Sequence, residues 1–379
     1  MRNLEFLNGG VRESAWNSPR PSIPLFHYSN MAAADQGHWL FSRRADFWLA
    51  SGGASVGLLA AIFLILWHGD RELDGLDFVL SELHLGATYG AVLRRRLWRH
   101  RQVDVLLIPL LILLLTYALS MSGQTILLTS IAMYAAVWHR GRQSLGVARF
   151  YQREMGGPVS WLHGCLFRGA IYLPMLAGAL AYTHLAPAEY EGKPYFALDG
   201  GGEMASLIGV AAVFWMIAYF VFMLWQTRNG WLDPARGLKV HPGEYWVVLA
   251  HAIAFGSAYV LGASNASFLL VLAVHHEVQY LYFTYAMARR SEGVHAVSKT
   301  GIESAAKDFA STVSHGHEDA LSTELQRAAS FLVWPVIGFV GAIAGGWYEL
   351  EWLAPLSMGG LFCHYWLDGR IWIGRSIRS

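Results

Sequence analysis

Long apolar stretches recur along the chain after its first 45 residues. About ten of them have the length that an α-helix needs to cross about 30 Å of hydrocarbon. They lie near 46–68, 76–94, 103–119, 122–140, 160–184, 204–227, 244–263, 265–288, 329–348 and 351–373. Backbone polar groups find no water inside a bilayer, so such spans must satisfy their hydrogen bonds internally, as helices do. The sequence therefore predicts an all-α protein, a polytopic membrane helix bundle.

The composition agrees with a membrane protein and excludes other classes. Hydrophobic residues make up 54% of the chain and charged residues only 15%, whereas a soluble domain carries about 25% charged residues. The formal net charge of +1 gives no reason to expect nucleic acid as a partner. Both cysteines lie in apolar segments, where thiols behave as small hydrophobes, so neither a disulfide framework nor a thiolate zinc site is indicated.

The distribution of arginine and lysine predicts the orientation of the chain. Basic clusters such as RRRLWRHR at 94–101 fall in every second loop of a ten-span arrangement, and positively charged loops stay in the cytoplasm. We therefore expect a multi-pass protein of the inner (cytoplasmic) membrane with both termini cytoplasmic. Its predicted regions are a polar tail at 1–45, eight spans within 46–290, a cytoplasmic amphipathic insertion at 291–330, and two spans with a basic tail at 331–379.

Histidines lie inside the apolar segments, where an ionisable side chain is costly unless it is neutral, paired or bound to a ligand. Neutral imidazole is a common metal ligand, and helices packed about 8–10 Å apart can bring several rings to one ion. The sequence therefore predicts a metal centre within the bilayer. Its candidate ligands are His84, His139, His275, His276 and His364.

Not every histidine is expected to bind the metal. Neighbours on a helix differ by about 100° in direction, so only one of His275 and His276 is expected to face the ion, and His276 is preferred. His251 is left open as a further ligand. His163 and His184, near the ends of a span, are expected at the membrane interface instead.

Carboxylates lie within one turn of the candidate ligands. A metal-bound imidazole usually donates its other N–H to a carboxylate or a carbonyl. Asp368 lies four residues after His364 and shares its helix face. Asp368 and Glu277 are therefore the candidate catalytic residues. The alternatives are an ion pair of Asp368 with Arg370, and of Glu277 with an arginine of a neighbouring helix.

Two amides follow histidines at the same spacing. Gln143 comes four residues after His139, and Gln279 comes four residues after His275. Because residues four apart share a helix face, each pair can direct an imidazole and an amide at one point. Gln143 and Gln279 are therefore candidate cofactor-binding residues.

The segments HLGATYG at 84–90, VHHEVQY at 274–280 and HYWLDGRIW at 364–372 resemble segments of a known membrane family, the Brp/Blh proteins, which are bacterial β-carotene 15,15′-dioxygenases. HLGATYG at 84–90 is similar to the His-Phe-Gly segment of that family. VWHRGRQ around His139, or VHHEVQY at 274–280, resembles its helical His-x-x-x-His segment, and HYWLDGRIW at 364–372 resembles its late His followed by Asp.

That resemblance implies a polytopic fold that holds one non-heme iron through histidines and oxygenates or cleaves an isoprenoid chain. Gln143 or Gln279 stands where the family has its second histidine, and an amide is a much weaker iron ligand than imidazole. The iron centre is therefore carried over to this chain, and the substrate is not.

These observations predict an integral membrane metalloenzyme, a non-heme iron oxygenase or dioxygenase. Its expected partners are membrane lipid, dioxygen and a hydrophobic lipid or isoprenoid substrate that enters from the bilayer. Copper and zinc remain alternative metals. Two other functions remain open, because intramembrane histidine and carboxylate residues also mark proton-coupled transporters, and two facing histidines can hold haem for electron transfer.

Overall fold

The computed structural model describes residues 39–67, 76–94, 97–155, 160–185, 189–190, 193–197, 200–232, 240–299, 333 and 353–373. Nearly all of these residues are helical, which confirms the predicted all-α class. The one sheet among them is an antiparallel pair of two-residue strands, β1 (Glu189–Tyr190) and β2 (Lys193–Pro194).

The helices of the described residues are numbered in chain order. They are α1 (Arg43–Ala50), α2 (Gly53–Trp67), α3 (Leu76–Arg94), α4 (Leu97–His100), α5 (Val103–Met121), α6 (Thr125–Glu154), α7 (Trp161–Leu185), α8 (Gly201–Leu232), α9 (Pro242–Gly262), α10 (Leu270–Lys299) and α11 (Leu353–Ile373). A 3₁₀ turn at Ala266–Leu269 precedes α10, and α1 and α5 contain π-helical segments at Asp46–Ala50 and Val103–Leu107.

Four helices of the described part of the chain, α5, α7, α8 and α9, are long and apolar enough to cross a membrane. Helices α1 and α2 add a fifth span if the two are counted together despite a bend of 55°. Large apolar side chains such as Leu114, Leu207 and Phe214 lie exposed on α5 and α8, as suits a helix face in contact with lipid. The structure therefore agrees with a membrane protein.

The bend between α1 and α2 requires a glycine at position 52. Gly52 has a φ of 84°, in the left-handed region that side chains with a Cβ avoid. A Cβ at this position would lie 2.5 Å from the ring of His275. The bend thus brings the backbone directly against a buried histidine of α10.

Several predicted regions lie outside the described residues. They are the span at 329–348 apart from residue 333, positions 1–38 of the tail, and positions 300–330 of the insertion.

Four helices surround the predicted site. Helix α3 contacts α10 and α11, and α6 contacts the same two helices, so the four form a closed ring. None of these four is among the helices of the described residues that are apolar enough to span a membrane alone. Each of the four carries one buried histidine of the site described next.

Candidate metal centre

Four of the predicted ligands come together within the ring of helices. We call them the four-histidine group: His84 of α3, His139 of α6, His276 of α10 and His364 of α11. Each offers one ring nitrogen, and these four atoms all lie within 4.8 Å of one another. The residues are between 1% and 8% exposed. Imidazole nitrogens that converge in this way, shielded from water, have the geometry to hold a metal ion.

Rings that are neighbours in the group come from helices that contact each other. His84 lies 4.5 Å from both His276 and His364, measured between ring centroids. His139 lies 4.9 Å from the same two rings. His84 and His139 face each other across the ring at 6.2 Å. Each of the four helices therefore supplies one ligand candidate.

The hydroxyl of Thr88 joins His364 to Asp368 beside the group. Thr88 Oγ1 donates to Asp368 Oδ1 at 2.9 Å and lies 2.8 Å from His364 Nδ1. A hydroxyl carries one hydrogen, so when Thr88 donates it to the carboxylate, Nδ1–H of His364 donates to Thr88. Nε2 of His364 is then unprotonated. Its lone pair points toward the other imidazoles, as metal binding requires.

The ring nitrogens of the group are short of other partners. Nε2 of His364 and Nε2 of His84 are 2.8 Å apart. Among the described residues, no hydrogen-bond partner is present for His84 Nδ1, His139 Nε2 or His276 Nδ1, although all three atoms are buried. Buried polar atoms of native proteins are rarely left without a partner. These unpartnered atoms and the four converging ring nitrogens are compatible with a bound metal ion.

Asp368, a predicted catalytic residue, lies at the edge of the group. Its Oδ1 accepts hydrogen bonds from Thr88 at 2.9 Å and from Tyr280 at 2.6 Å. Its Oδ2 lies 3.5 Å from His139 Nε2 and 3.8 Å from His364 Nε2. Arg370, the alternative partner of Asp368, is instead 3.5 Å from Asp104.

His275, a predicted ligand, does not belong to the four-histidine group. Ser55 donates its hydroxyl hydrogen to Gly52 O, so it accepts the Nδ1–H of His275 at 3.0 Å. Nε2 of His275 lies 3.2 Å from Ser144 Oγ. The physical reason is the turn of about 100° per residue, which directs His275 and His276 to different neighbours.

The predicted amide ligands also lie outside the four-histidine group. Gln143 Nε2 donates to the backbone carbonyl of His276 at 2.5 Å. Gln279 Nε2 donates to the carbonyl of Ala50 at 2.7 Å, and its Oε1 is 3.3 Å from Gln143 Nε2. Both amides therefore connect helices around the group, and Gln143 fixes the backbone that carries His276.

The two remaining candidates are not members of the four-histidine group. Glu277 is buried on α10 and is not a member of the four-histidine group. Nε2 of His251, on α9, lies 3.0 Å from the carbonyl oxygen of Ile171, and the ring of His251 stacks on Phe255. His251 therefore helps to join α7 and α9.

A second buried polar cluster was not expected from the sequence. Glu244 Oε1 is 2.7 Å from His163 Nε2 and accepts hydrogen bonds from Gln152 at 2.9 Å and Tyr219 at 3.1 Å. We call these four residues the Glu244 network. His163 is 1% exposed, so it is enclosed by the protein, and its expected position at the membrane interface stays a prediction. Its partner Glu244 lies 81 positions later in the chain, and only the packing of α7 against α9 reveals the pair.

A lateral groove lies between α7, α8 and α9. It has a volume of about 770 Å³ and is lined mainly by small and apolar residues such as Ala181, Gly209 and Gly256. None of the four histidines is carried by these three helices. The groove and the four-histidine group are therefore formed by different parts of the bundle.

Comparison with known proteins adds no relative. The chain matches no family model, no curated protein and no solved structure.

Proposed function

We propose that this protein is an integral membrane metalloenzyme, a non-heme iron oxygenase that acts on a hydrophobic lipid or isoprenoid substrate. The observation that carries the proposal is the convergence of four buried imidazole nitrogens, from four helices, within 4.8 Å. Imidazole suits iron, copper and zinc alike. Iron is preferred because neutral nitrogen ligands with an open position suit a ferrous ion that must also accept dioxygen.

The residues of the chain would have distinct tasks in such a centre. Bound iron would supply the capacity to bind and activate dioxygen. The four imidazoles would hold the ion, and Thr88 would keep the Nε2 lone pair of His364 available through its hydrogen bond to Nδ1. Burial of the group would exclude bulk water and favour an apolar substrate arriving from the lipid.

Haem electron transfer is not supported by this geometry. Two imidazoles on opposite sides of one haem iron have their bonded nitrogens about 4 Å apart, because each metal–nitrogen bond is about 2 Å long. The Nε2 atoms of His84 and His364 are only 2.8 Å apart. Two more imidazoles have ring nitrogens within 4.8 Å of these atoms, whereas a bis-histidine haem uses only two.

A proton relay is the second candidate function. The Nε2 atoms of His84 and His364 are within hydrogen-bond distance, and Asp368 lies beside them. Chains of histidine and carboxylate side chains carry protons in membrane pumps and transporters. This function requires no metal, so metal content separates the two candidates.

Metal analysis of the purified full chain, combined with an optical spectrum, tests the proposal. We expect about one iron per chain, no Soret band, and loss of the iron in His84→Ala. The iron-loaded protein should then consume dioxygen in micelles that contain fatty acyl or isoprenoid lipids. A Soret band would identify haem, and a full-length folded protein that retains no metal would favour the proton relay.

We further propose the ten-span arrangement with both termini on the cytoplasmic side of the inner membrane. Basic loops such as 94–101 support this orientation. Reporter proteins fused to each terminus test this orientation. A reporter that is active only in the cytoplasm should be active at both termini. A terminus accessible from the opposite side would contradict it.

A further inference from the structure

The two carboxylate oxygens of Asp368 have different surroundings. Oδ1 is anchored by the hydroxyl groups of Thr88 and Tyr280, at 2.9 and 2.6 Å. Oδ2 makes no hydrogen bond among the described residues and lies 3.5 Å from His139 Nε2, itself without a hydrogen-bond partner there. Asp368 is 4% exposed. A carboxylate on so little exposed a residue is costly unless a cation or hydrogen-bond donors compensate its charge.

One distance within the group can be compared with the values expected for two coordination geometries. With metal–ligand bonds of about 2.1 Å, neighbouring ligand atoms are about 3.0 Å apart in an octahedral site and about 3.4 Å apart in a tetrahedral site. The Nε2 atoms of His84 and His364 are 2.8 Å apart, which is closer to the octahedral value. Four imidazoles in an octahedral site leave two positions open, and Asp368 Oδ2 lies next to the group.

The charge of a divalent ion also favours a carboxylate ligand. Four neutral imidazoles leave the whole charge of the ion uncompensated in a buried site. Uncompensated charge in a medium of low dielectric constant is strongly unfavourable. Asp368 supplies such a carboxylate, because its Oδ2 lies within 3.8 Å of ring nitrogens of both His139 and His364.

We propose that Asp368 is a fifth ligand of the metal centre, through Oδ2, and that Thr88 and Tyr280 are positioning residues that hold its Oδ1. The inference rests on the proposed function, because it assumes that the four-histidine group binds a metal. Four imidazoles and one carboxylate suit a six-coordinate ferrous or manganous ion, not a tetrahedral zinc ion. One position remains open for dioxygen.

Cobalt(II) binding to the purified full chain tests the assignment, because its visible absorption is weak in six-coordinate sites and intense in tetrahedral ones. We expect weak bands in the unsubstituted protein, and in Asp368→Asn stronger bands with at least a tenfold lower affinity for cobalt. Asp368→Glu, which keeps the carboxylate, should retain more affinity than Asp368→Asn. Asp104→Asn, which removes a carboxylate contacting α11 through Arg370, should leave the spectrum unchanged.

The possible outcomes separate this inference from the proposed function. Intense bands in the unsubstituted protein, or an unchanged spectrum and affinity in Asp368→Asn, would overturn the fifth ligand and leave a four-histidine centre. Absence of metal binding in the unsubstituted protein would overturn both proposals. Should Asp368→Asn fail to fold, Tyr280→Phe removes one anchor of Oδ1 without removing the carboxylate. An unchanged cobalt spectrum and affinity in that variant would also overturn the assignment.

Discussion

The four-histidine group and the Glu244 network are both buried polar clusters between helices, yet their histidines are satisfied differently. In the Glu244 network, His163 Nε2 lies 2.7 Å from a carboxylate oxygen that Gln152 and Tyr219 also contact. In the four-histidine group, the ring nitrogens face one another, and several have no partner among the described residues. Burial alone therefore does not mark a metal ligand. The difference lies in whether the protein itself supplies partners for the ring nitrogens.

The largest expected effect is loss of the metal from the four-histidine group. His364→Ala removes the imidazole whose Nε2 is held ready by Thr88. Because a metal ligand contributes more than its hydrogen-bonding partners, we expect the affinity to fall by more than the roughly 10–100-fold typical of those partners. Metal titration of the purified chain measures the change.

His163→Ala is the matched control for that variant. It removes an imidazole that is equally buried but belongs to the Glu244 network. Its metal content should equal that of the unsubstituted protein. Equal losses of metal in both variants would remove the distinction between the two clusters.

His163→Ala should instead reduce stability. The substitution leaves the buried carboxylate of Glu244 without its histidine, and a buried polar group that loses its partner costs about 1–3 kcal/mol. Denaturant unfolding in detergent, followed by circular dichroism, measures the loss. A loss below about 1 kcal/mol would show that Gln152 and Tyr219 suffice to satisfy Glu244.

The sequence predicts the helices and the histidines better than it predicts the groups beside them. His84, His139, His276 and His364 stand out because imidazole is rare among apolar residues. Thr88 and Tyr280 carry no such signal, since threonine and tyrosine are common in any helix. Their role depends on the contact of α3 with α10 and α11, a packing arrangement that spacing within one helix does not contain.

The same limit applies to His275 and His276. Helical geometry shows that adjacent rings diverge, but it does not show which ring faces the site. Their directions depend on what lies opposite each ring. Ser55 and Ser144 stand beside His275, whereas three other imidazoles stand beside His276.

A smaller effect on the metal is expected from Thr88→Val. Valine is similar in shape but removes the hydroxyl that accepts from His364 Nδ1 and donates to Asp368 Oδ1. Loss of such a supporting group typically lowers metal affinity by about 10–100-fold. Metal titration should therefore place Thr88→Val between the unsubstituted protein and His364→Ala. An affinity equal to that of the unsubstituted protein would mean that the tautomer of His364 does not depend on Thr88.

The smallest expected effect on the metal is that of His275→Ala, although His275 directly precedes the ligand candidate His276 in the chain. His275 is hydrogen-bonded to Ser55 and Ser144, so its removal should leave metal content unchanged. Two buried hydroxyl groups would lose a partner, at a cost to stability of about 1–3 kcal/mol. Metal analysis and denaturant unfolding of the same preparation measure both quantities. Loss of metal at unchanged stability would place His275 among the ligands. Hydrogen bonds to both ring nitrogens would then not be a sign that a buried histidine is structural.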